Sequence, residues 1–424
     1  MTGTASSRSP APSARGGESP AQPEALSAGA RNFRASARFE EAMTPPRRAL
    51  AVSCPVRSTG LLLLLVLACG PASSGRGGGL PDAGAVIPSC LEVDAGPVTR
   101  LAVSGPRILD EHGQEVVLRG WNWGEWGSGT EQDAIDNAAQ GATVVRLPLR
   151  WWGDYPDGAD AYDPSGPPYL DAAHLCQLDR NISWAVRHGL WVVLFVDSNC
   201  GQGSRERDTV AACGAAEGGA AANFSNDPEM KRRFAAAWAF LAARYAGVPR
   251  MGMYELLPEP NFTCGAHAAC PDWSLFPAFY ASLLPSIRAS EPSIPVLVGA
   301  GAGYDLQHLD TAYIDGGTSL VYTGDLFLQA ASDPGWYAAL AEFRSRHDAP
   351  VFVQQVGIRK SVPDAGNIVD GLLEQLGDGG IGWTWWTYRE PNAPQGQGYA
   401  PWFKGASTPW TLDRDWLQRI THHF

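Results

Sequence analysis

The sequence lacks three features that would each indicate a particular class of protein. It has eight cysteines but no CxxC pair, so no zinc site or other metal or organic cofactor is predicted. It has no basic excess: 44 acidic residues outnumber 32 lysines and arginines, and the formal net charge is -12. A nucleic-acid partner is therefore not expected. It also has no apolar run that approaches the about 20 residues needed to cross a bilayer.

An export signal is predicted over residues 43–69. Arg47, Arg48 and Arg57 form a basic region, and the apolar run Leu61–Ala68 that follows has the length of a signal-peptide core. The run ends in the letters VLAC, which resemble a bacterial lipobox and would make Cys69 the lipidated residue. We expect a protein exported to the bacterial cell envelope and anchored by lipid at the outer membrane or cell surface. A plain secretory signal is the alternative.

Two segments of biased composition flank this signal. Residues 1–42 are rich in alanine, serine, proline and arginine, and they are interpreted either as disorder or as an extension upstream of a true start at Met43. Residues 70–96 include a run of glycine and serine that predicts a flexible tether. The folded part is therefore predicted as a single domain over residues 97–424, and we expect it to be monomeric.

Four cysteines are placed as local pairs around two loops. Cys200 and Cys213 flank one loop, and Cys264 and Cys270 flank another. Such spacing fits disulfides formed in an oxidising compartment better than reactive thiols. The pattern agrees with export, and it leaves the connectivity open.

From residue 97 onward, short apolar runs alternate with segments of helical period, which is typical of βαβ units and a parallel sheet. One helix is marked by a single apolar stripe, made of Met230, Phe234, Trp238, Leu241 and Tyr245. Eight strands favour an α/β fold of the (β/α)8 TIM-barrel type over an open sheet. The predicted strands are Val116–Gly120, Thr143–Leu147, Trp191–Val196, Met251–Leu257, Ile294–Val298, Leu320–Thr323, Val351–Gln355 and Gly382–Trp386.

Polar and aromatic side chains stand at or just past the predicted strand ends, where a (β/α)8 barrel builds its active site. These residues are Asn122, Arg146, Asp197, Glu259, Asp325, Gln355 and Trp386. The chain also has sixteen tryptophans, and their flat rings suit the faces of sugars. Five of them near the first two strands are Trp121, Trp123, Trp126, Trp151 and Trp152. We expect part of this group, with Trp123 and Trp151 as candidates, to face sugar and the rest to pack in the core.

Five motifs resemble those of glycoside hydrolase family five, the cellulase-like retaining enzymes. The motifs are VVLRGWNWGEW, GATVVRLPLRWW, YELLPEPN, PVFVQQVG and GWTWWTYRE, and the match runs over nearly all of residues 98–424. The resemblance implies a β-linked glycan as ligand and no cofactor. It places Glu259 at the general acid/base, Gln355 at the nucleophile and Trp386 at a sugar platform. Arg146, which would brace the nucleophile, and Asn122 are expected to face the glycan; a salt bridge from Arg146 to Glu259 or Asp325 is the alternative.

The sequence departs from the family pattern at five positions of this site. Gln355 replaces the carboxylate nucleophile, and Pro258 replaces an asparagine. Asp325 and Asp197 stand where the family often has histidine, although Asp197 also suits a turn, and Phe327 replaces a tyrosine. A retaining glycosidase needs two carboxyl groups about 5–5.5 Å apart, and an amide forms no ordinary glycosyl ester. The ordinary retaining reaction is therefore predicted to be lost.

These departures leave two main hypotheses. In the first, the barrel binds a β-linked glycan without cutting it. In the second, it is an active hydrolase in which Glu259 is the general acid and Asp325 or Asp197 activates water, or in which an N-acetyl group of the substrate attacks with help from Gln355. Carboxyl separations of about 6.5–9.5 Å would favour the inverting version. A purely structural envelope protein is a third hypothesis.

Overall fold

A computed structural model describes parts of the chain from residue 87 onward, all within the second of two units, Gly77–Phe424. The described residues are 87–93, 97–123, 129–152, 161–198, 228–258, 275–299, 306–328, 335–391, 393, 398–405 and 408–424. Within these ranges, no helix is both long and apolar enough to span a bilayer.

Nine parallel strands form the barrel, and they confirm the eight that the sequence predicts. They are β3 (Arg119–Asn122), β4 (Val144–Trp152), β5 (Trp191–Ser198), β6 (Met251–Glu255), β7 (Val296–Gly299), β8 (Leu320–Thr323), β9 (Asp325–Leu328), β10 (Phe352–Ile358) and β11 (Gly382–Trp385). Their order is β8-β7-β6-β5-β4-β3-β11-β10-β9. The sixth predicted strand is continued by β9 after Gly324, and a bridge between Tyr322 and Val351 closes the barrel.

A short antiparallel hairpin lies against the amino-terminal end of the barrel. It consists of β1 (Ala102–Ser104) and β2 (Arg107–Leu109). Ile108 of the hairpin and Leu101 beside it share a buried cluster with residues near the strand beginnings, among them Val193 and Met253. Apolar side chains thus fill this end, as expected for parallel strands buried on both faces, and the polar side chains described below are at the opposite end.

The helices cover the outside of the barrel. They are α1 (Glu131–Ala139), α2 (Ala172–Arg187), α3 (Pro228–Tyr245), α4 (Leu275–Arg288), α5 (Gly335–His347), α6 (Ala365–Asp378) and α7 (Arg414–Thr421), with a 3-10 helix at Leu306–Ala312. The predicted apolar stripe of α3 is fully buried apart from Met230, which is 1% exposed. After β11, a small sheet follows, made of β12 (Arg389–Pro391), β13 (Trp402–Lys404) and β14 (Thr411–Leu412).

Residues 87–93 correct the predicted tether, because they are fixed to the barrel. Cys90 forms a disulfide with Cys176 of α2. The Cys90 amide donates to the buried carboxylate of Asp179 at 2.7 Å, and Arg244 of α3 donates to the carbonyl of Pro88 at 2.8 Å. No local spacing pattern indicates this disulfide, since its cysteines are 86 positions apart. The four cysteines predicted to pair locally, and Cys69, lie outside the described residues.

Candidate active site

Two register pairs bring the predicted site residues together. Asn122, at the end of β3, is the partner of Arg146 on β4. Gln355 on β10 is the partner of Asp325, the first residue of β9. Because β11 lies between β3 and β10 in the sheet, the four positions occupy one continuous part of the barrel wall. The barrel therefore assembles residues that are far apart in the sequence.

A β-bulge displaces the two glutamines of β10. Between successive register pairs, Gln354 and Gln355 together face Thr384, the single opposing residue of β11. Bulges re-aim side chains and are frequent next to active sites. The carbonyl of Gln354 accepts hydrogen bonds from the Asn122 amide at 2.9 Å and from the Thr384 hydroxyl at 2.5 Å. Side chains from β3 and β11 therefore hold the bulge that carries Gln355.

Arg146 connects this bulge to a buried carboxylate. Its guanidinium donates to both oxygens of Glu255, at the end of β6, over 2.6 and 2.9 Å. It also donates to the side-chain oxygen of Asn122 at 2.8 Å, and its central carbon lies 3.6 Å from the centre of the Phe195 ring. A bidentate guanidinium–carboxylate pair fixes direction as well as charge. The chain of contacts from Glu255 through Arg146 and Asn122 thus orients the backbone of Gln354.

The burial of Arg146 and Asn122 does not support the expectation that these side chains face the glycan. Both are fully buried, and so is Glu255. Arg146 acts on the seventh barrel strand through Asn122, and among the described residues its carboxylate partner is Glu255. The sequence analysis missed Glu255, although a carboxylate within the otherwise apolar run MYELL was a usable signal for a buried ion pair.

Asp325, one of the predicted site carboxylates, contacts Gln354 of the bulge. It is partly exposed, and one of its oxygens accepts a hydrogen bond from the side-chain amide of Gln354. Gln354 itself is fully buried, and its side-chain oxygen has no hydrogen-bond partner among the described residues. The sequence analysis assigned no role to Gln354.

Of the other two predicted carboxylates, Asp197 is among the described residues and Glu259 is not. Asp197 lies on β5 next to Arg150 of β4 in register, and it is only 2% exposed. Glu259, the acid/base candidate, lies outside the described residues, so its separation from the aspartates is not part of this geometry. Phe327, at the tyrosine position, is partly exposed and packs edge-on against Tyr399 with ring centres 5.5 Å apart.

The tryptophans divide into core and surface residues. Trp151 is fully buried and donates to the carbonyl of Tyr169 at 3.1 Å, while Trp123 is 5% exposed and donates to Asn137 at 2.7 Å. These two rings pack in the barrel wall, and their burial does not support the expectation that they face sugar. Trp386, just past β11, is partly exposed, so part of its side chain is accessible to a ligand. Trp121 is buried, whereas Trp126 and the Trp152 side chain lie outside the described part.

Two tyrosines beside the site stay protonated at ordinary pH. Burial raises the pKa of Tyr254, which precedes Glu255 on β6, well above its usual value. Burial also raises the pKa of Tyr388 to about 12, and the nearby Asp133 carboxylate adds to this effect. The amide of Tyr388 donates to the carbonyl of Asn122 at 3.0 Å. These phenols therefore serve as neutral hydrogen-bonding or packing groups and not as bases.

A cavity of about 640 Å³ lies away from these strand ends, beside α6 and α7. Its charged lining is partly paired, since Arg419 binds Asp370. The segments that follow β3 to β7 and β9, from which a barrel builds the mouth of its site, lie outside the described residues. The site is therefore defined by its strand-end residues and not by this cavity.

The family described as Cellulase (glycosyl hydrolase family 5) matches residues 109–391. No curated protein matches the chain.

Several solved structures resemble the barrel. The catalytic domain of Thermobifida fusca endoglucanase Cel5A, as a glutamate-to-glutamine variant with cellotetraose, is 20% identical; the match covers 76% of this chain and 97% of that one, with a TM-score of 0.54. An endogalactoceramidase is 18% identical over 76% and 85%, with a TM-score of 0.60. Thermotoga maritima Cel5A with mannotriose is 16% identical over 72% and 97%, with a TM-score of 0.52.

At these identities the solved structures establish the fold alone, a (β/α)8 barrel. The family match covers more than half of the chain, and it includes every strand of the barrel together with Asn122, Arg146, Asp325 and Gln355. The protein belongs to glycosyl hydrolase family 5.

Proposed function

We propose that this protein is a glycan-binding member of the family in which ordinary retaining hydrolysis has been lost. The observation that carries the proposal is Gln355, an amide at the nucleophile position of the seventh barrel strand, next to Asp325 in register. An amide supplies neither the charge that stabilises an oxocarbenium-like transition state nor an ester-forming oxygen. The bulge and its network with Asn122 nevertheless hold this position in place.

The ligand proposed is a β-linked glycan. Relatives of the same fold were solved with cellotetraose and with mannotriose, and the first of these was a glutamate-to-glutamine variant. In this chain, Trp386 offers a partly exposed indole at the end of the eighth barrel strand. Ligand sites are usually lined by aromatic side chains together with a few hydrogen-bonding groups.

The proposed location is the bacterial cell envelope, with lipid on Cys69. The basic and apolar segments over residues 43–69 support this. The Cys90–Cys176 disulfide adds a second argument, because disulfides persist in exported proteins and are rare in reducing compartments.

A hydrolase with a changed mechanism is the second candidate. The partial exposure of Asp325 favours it, because a carboxylate beside Gln355 could activate water while Glu259 protonates the leaving oxygen. Asp197 is a poorer base in this structure, since it is 2% exposed. A substrate-assisted reaction would instead use an N-acetyl group held by Gln355.

Product release distinguishes these candidates. Residues 70–424 would be incubated with β-glucans, mannans, xylans and chitin oligomers, alongside a Glu259→Ala control, and binding would be measured by calorimetry. We expect binding without turnover above the control. Turnover that the control loses would refute the binding-only function, and the anomer released would then identify inversion or retention.

A further inference from the structure

Gln354 is placed in the site by the same bulge as Gln355, but it has a different environment. Side chains hold its backbone at this point: its carbonyl accepts from Asn122 and Thr384, and its amide donates to Thr323 at 3.4 Å. A residue inserted into a strand normally leaves ladder groups unpaired. Here three polar side chains from β3, β8 and β11 satisfy them, so the geometry of Gln354 is strongly specified.

The side chain of Gln354 is not explained by the stability of the core. It is fully buried, and its oxygen has no partner among the described residues. A buried carbonyl without a hydrogen bond destabilises the folded state. An apolar side chain of similar volume, such as methionine, would fill the same space without this penalty. The bond that only the glutamine provides is the one from its amide to Asp325.

That bond fixes a carboxylate at the edge of the site. Asp325 begins β9, is partly exposed and lies beside Gln355 in register. A carboxylate only accepts hydrogen bonds, whereas a glutamine amide both donates and accepts. On adjacent strands, Asp325 can accept and Gln355 can donate or accept, which suits hydroxyl groups of one sugar ring when the carboxylate keeps one orientation.

We infer that Gln354 is a positioning residue, which holds Asp325 in the orientation that accepts a hydrogen bond from a hydroxyl group of the bound glycan. The inference rests on the proposed function, and it makes Asp325 a ligand-contacting residue even where no bond is cut. Gln354 does not touch the glycan; it acts through Asp325.

A double-mutant cycle tests this role. Calorimetry would measure the affinity of the parent, Gln354→Met, Asp325→Ala and the double variant for the oligosaccharide of the panel that the parent binds best. We expect Gln354→Met to bind about 10-fold more weakly, Asp325→Ala at least as weakly, and the double variant no more weakly than Asp325→Ala, because residues in one network are not additive. The inference is overturned if Gln354→Met binds like the parent, or if its loss persists in the Asp325→Ala background.

Two controls separate this result from folding defects and from failure of the proposed function. Gln375→Met, on the exposed side of α6, applies the same substitution outside the site and should leave affinity unchanged. Gln354→Met should unfold no earlier than the parent on heating; an unfolded Gln354→Met and an unfolded Gln354→Leu together would assign Gln354 to the core and overturn the inference. A parent that binds nothing refutes the proposed function and the inference together, whereas a parent that binds equally with and without Gln354 refutes only the inference.

Discussion

At the scale of single residues, two neighbouring amide side chains stand at the end of the seventh barrel strand, where the resemblance predicts the carboxylate nucleophile. Gln355 occupies the nucleophile position, and Gln354 precedes it in the same bulge. The supporting residues are nevertheless complete: Arg146 is bound to Glu255 on one side and to Asn122 on the other. Removing one partner of such a buried pair strands the other charge, and this typically costs about 3–5 kcal/mol. The contacts that hold the strand end of Gln355 are therefore in place, whatever chemistry the site performs.

Restoring the missing carboxylate should restore chemistry if the frame is intact. We expect Gln355→Glu to release products from a glycan that the parent only binds, with retained anomeric configuration, because two carboxyl groups would again flank the bond. Losing one member of a catalytic set can cost on the order of 10⁴-fold or more, so turnover should rise by a comparable factor above the parent background. The measurement is reducing-sugar release with anomer analysis.

Gln354→Glu is the matched control, since it adds a carboxylate one position away but against Asp325. It should stay inactive. If Gln355→Glu binds glycan as well as the parent and still releases nothing, the site has lost more than its nucleophile, and the substitutions at Pro258, Asp197 and Phe327 become the next targets.

At the scale of secondary-structure elements, the amino-terminal segment is an integral part of the outer layer of helices. Residues 87–93 are attached by the Cys90–Cys176 disulfide and by Asp179, whose carboxylate binds Arg244 and the Tyr245 hydroxyl as well as Cys90. This segment joins α2 to α3 on the outside of the barrel.

Removing this disulfide should destabilise the barrel without unfolding it. We expect the Cys90→Ser/Cys176→Ser variant to lose about 2–4 kcal/mol of unfolding free energy, mainly because the unfolded chain is no longer cross-linked. Urea unfolding of the parent and the variant, both under oxidising conditions, measures the difference. Equal midpoints would show that the other contacts of residues 87–93 suffice, and they would contradict this prediction.

At the scale of the whole molecule, buried tyrosines make the folded state less stable at alkaline pH. Burial raises the pKa of Tyr322 and of Tyr388 to about 12, and it raises those of Tyr245 and Tyr254 further. In the unfolded chain the pKa of a tyrosine is about 10. The folded state therefore keeps protons that the unfolded state releases, so this contribution to stability is complete below about pH 10 and is lost as pH rises from about 10 to 12.

Alkaline titration tests this linkage. Each such tyrosine should reduce the unfolding free energy by about 1.4 kcal/mol per pH unit in this window. Urea unfolding at several pH values, together with phenolate absorbance, gives the slope. Tyr322→Phe should lower the slope, because phenylalanine has no proton to release; a stability independent of pH across the window would contradict the assignment of these phenols as buried and neutral.

Much of the barrel was predictable because its strands are local patterns. Val351 to Val353 form a buried apolar run, and all eight predicted strands exist within a few residues of their predicted limits. The second and the sixth differ most, since β4 continues to Trp152 and β9 continues the sixth beyond Gly324, and the β1–β2 hairpin was not predicted. These short strands have too few residues to show a period, so tertiary packing determines them.

By itself, the sequence determined the barrel and the family, and it predicts that Gln355 stands at the nucleophile position, because each depends on short motifs read in order. Tertiary structure alone decided how the site is held. Arg146 and Glu255 are 109 positions apart, and Asn122 and Gln354 are 232 apart. No local pattern pairs residues at such distances; closing the barrel does, because it places the ends of distant strands around one small polar interior.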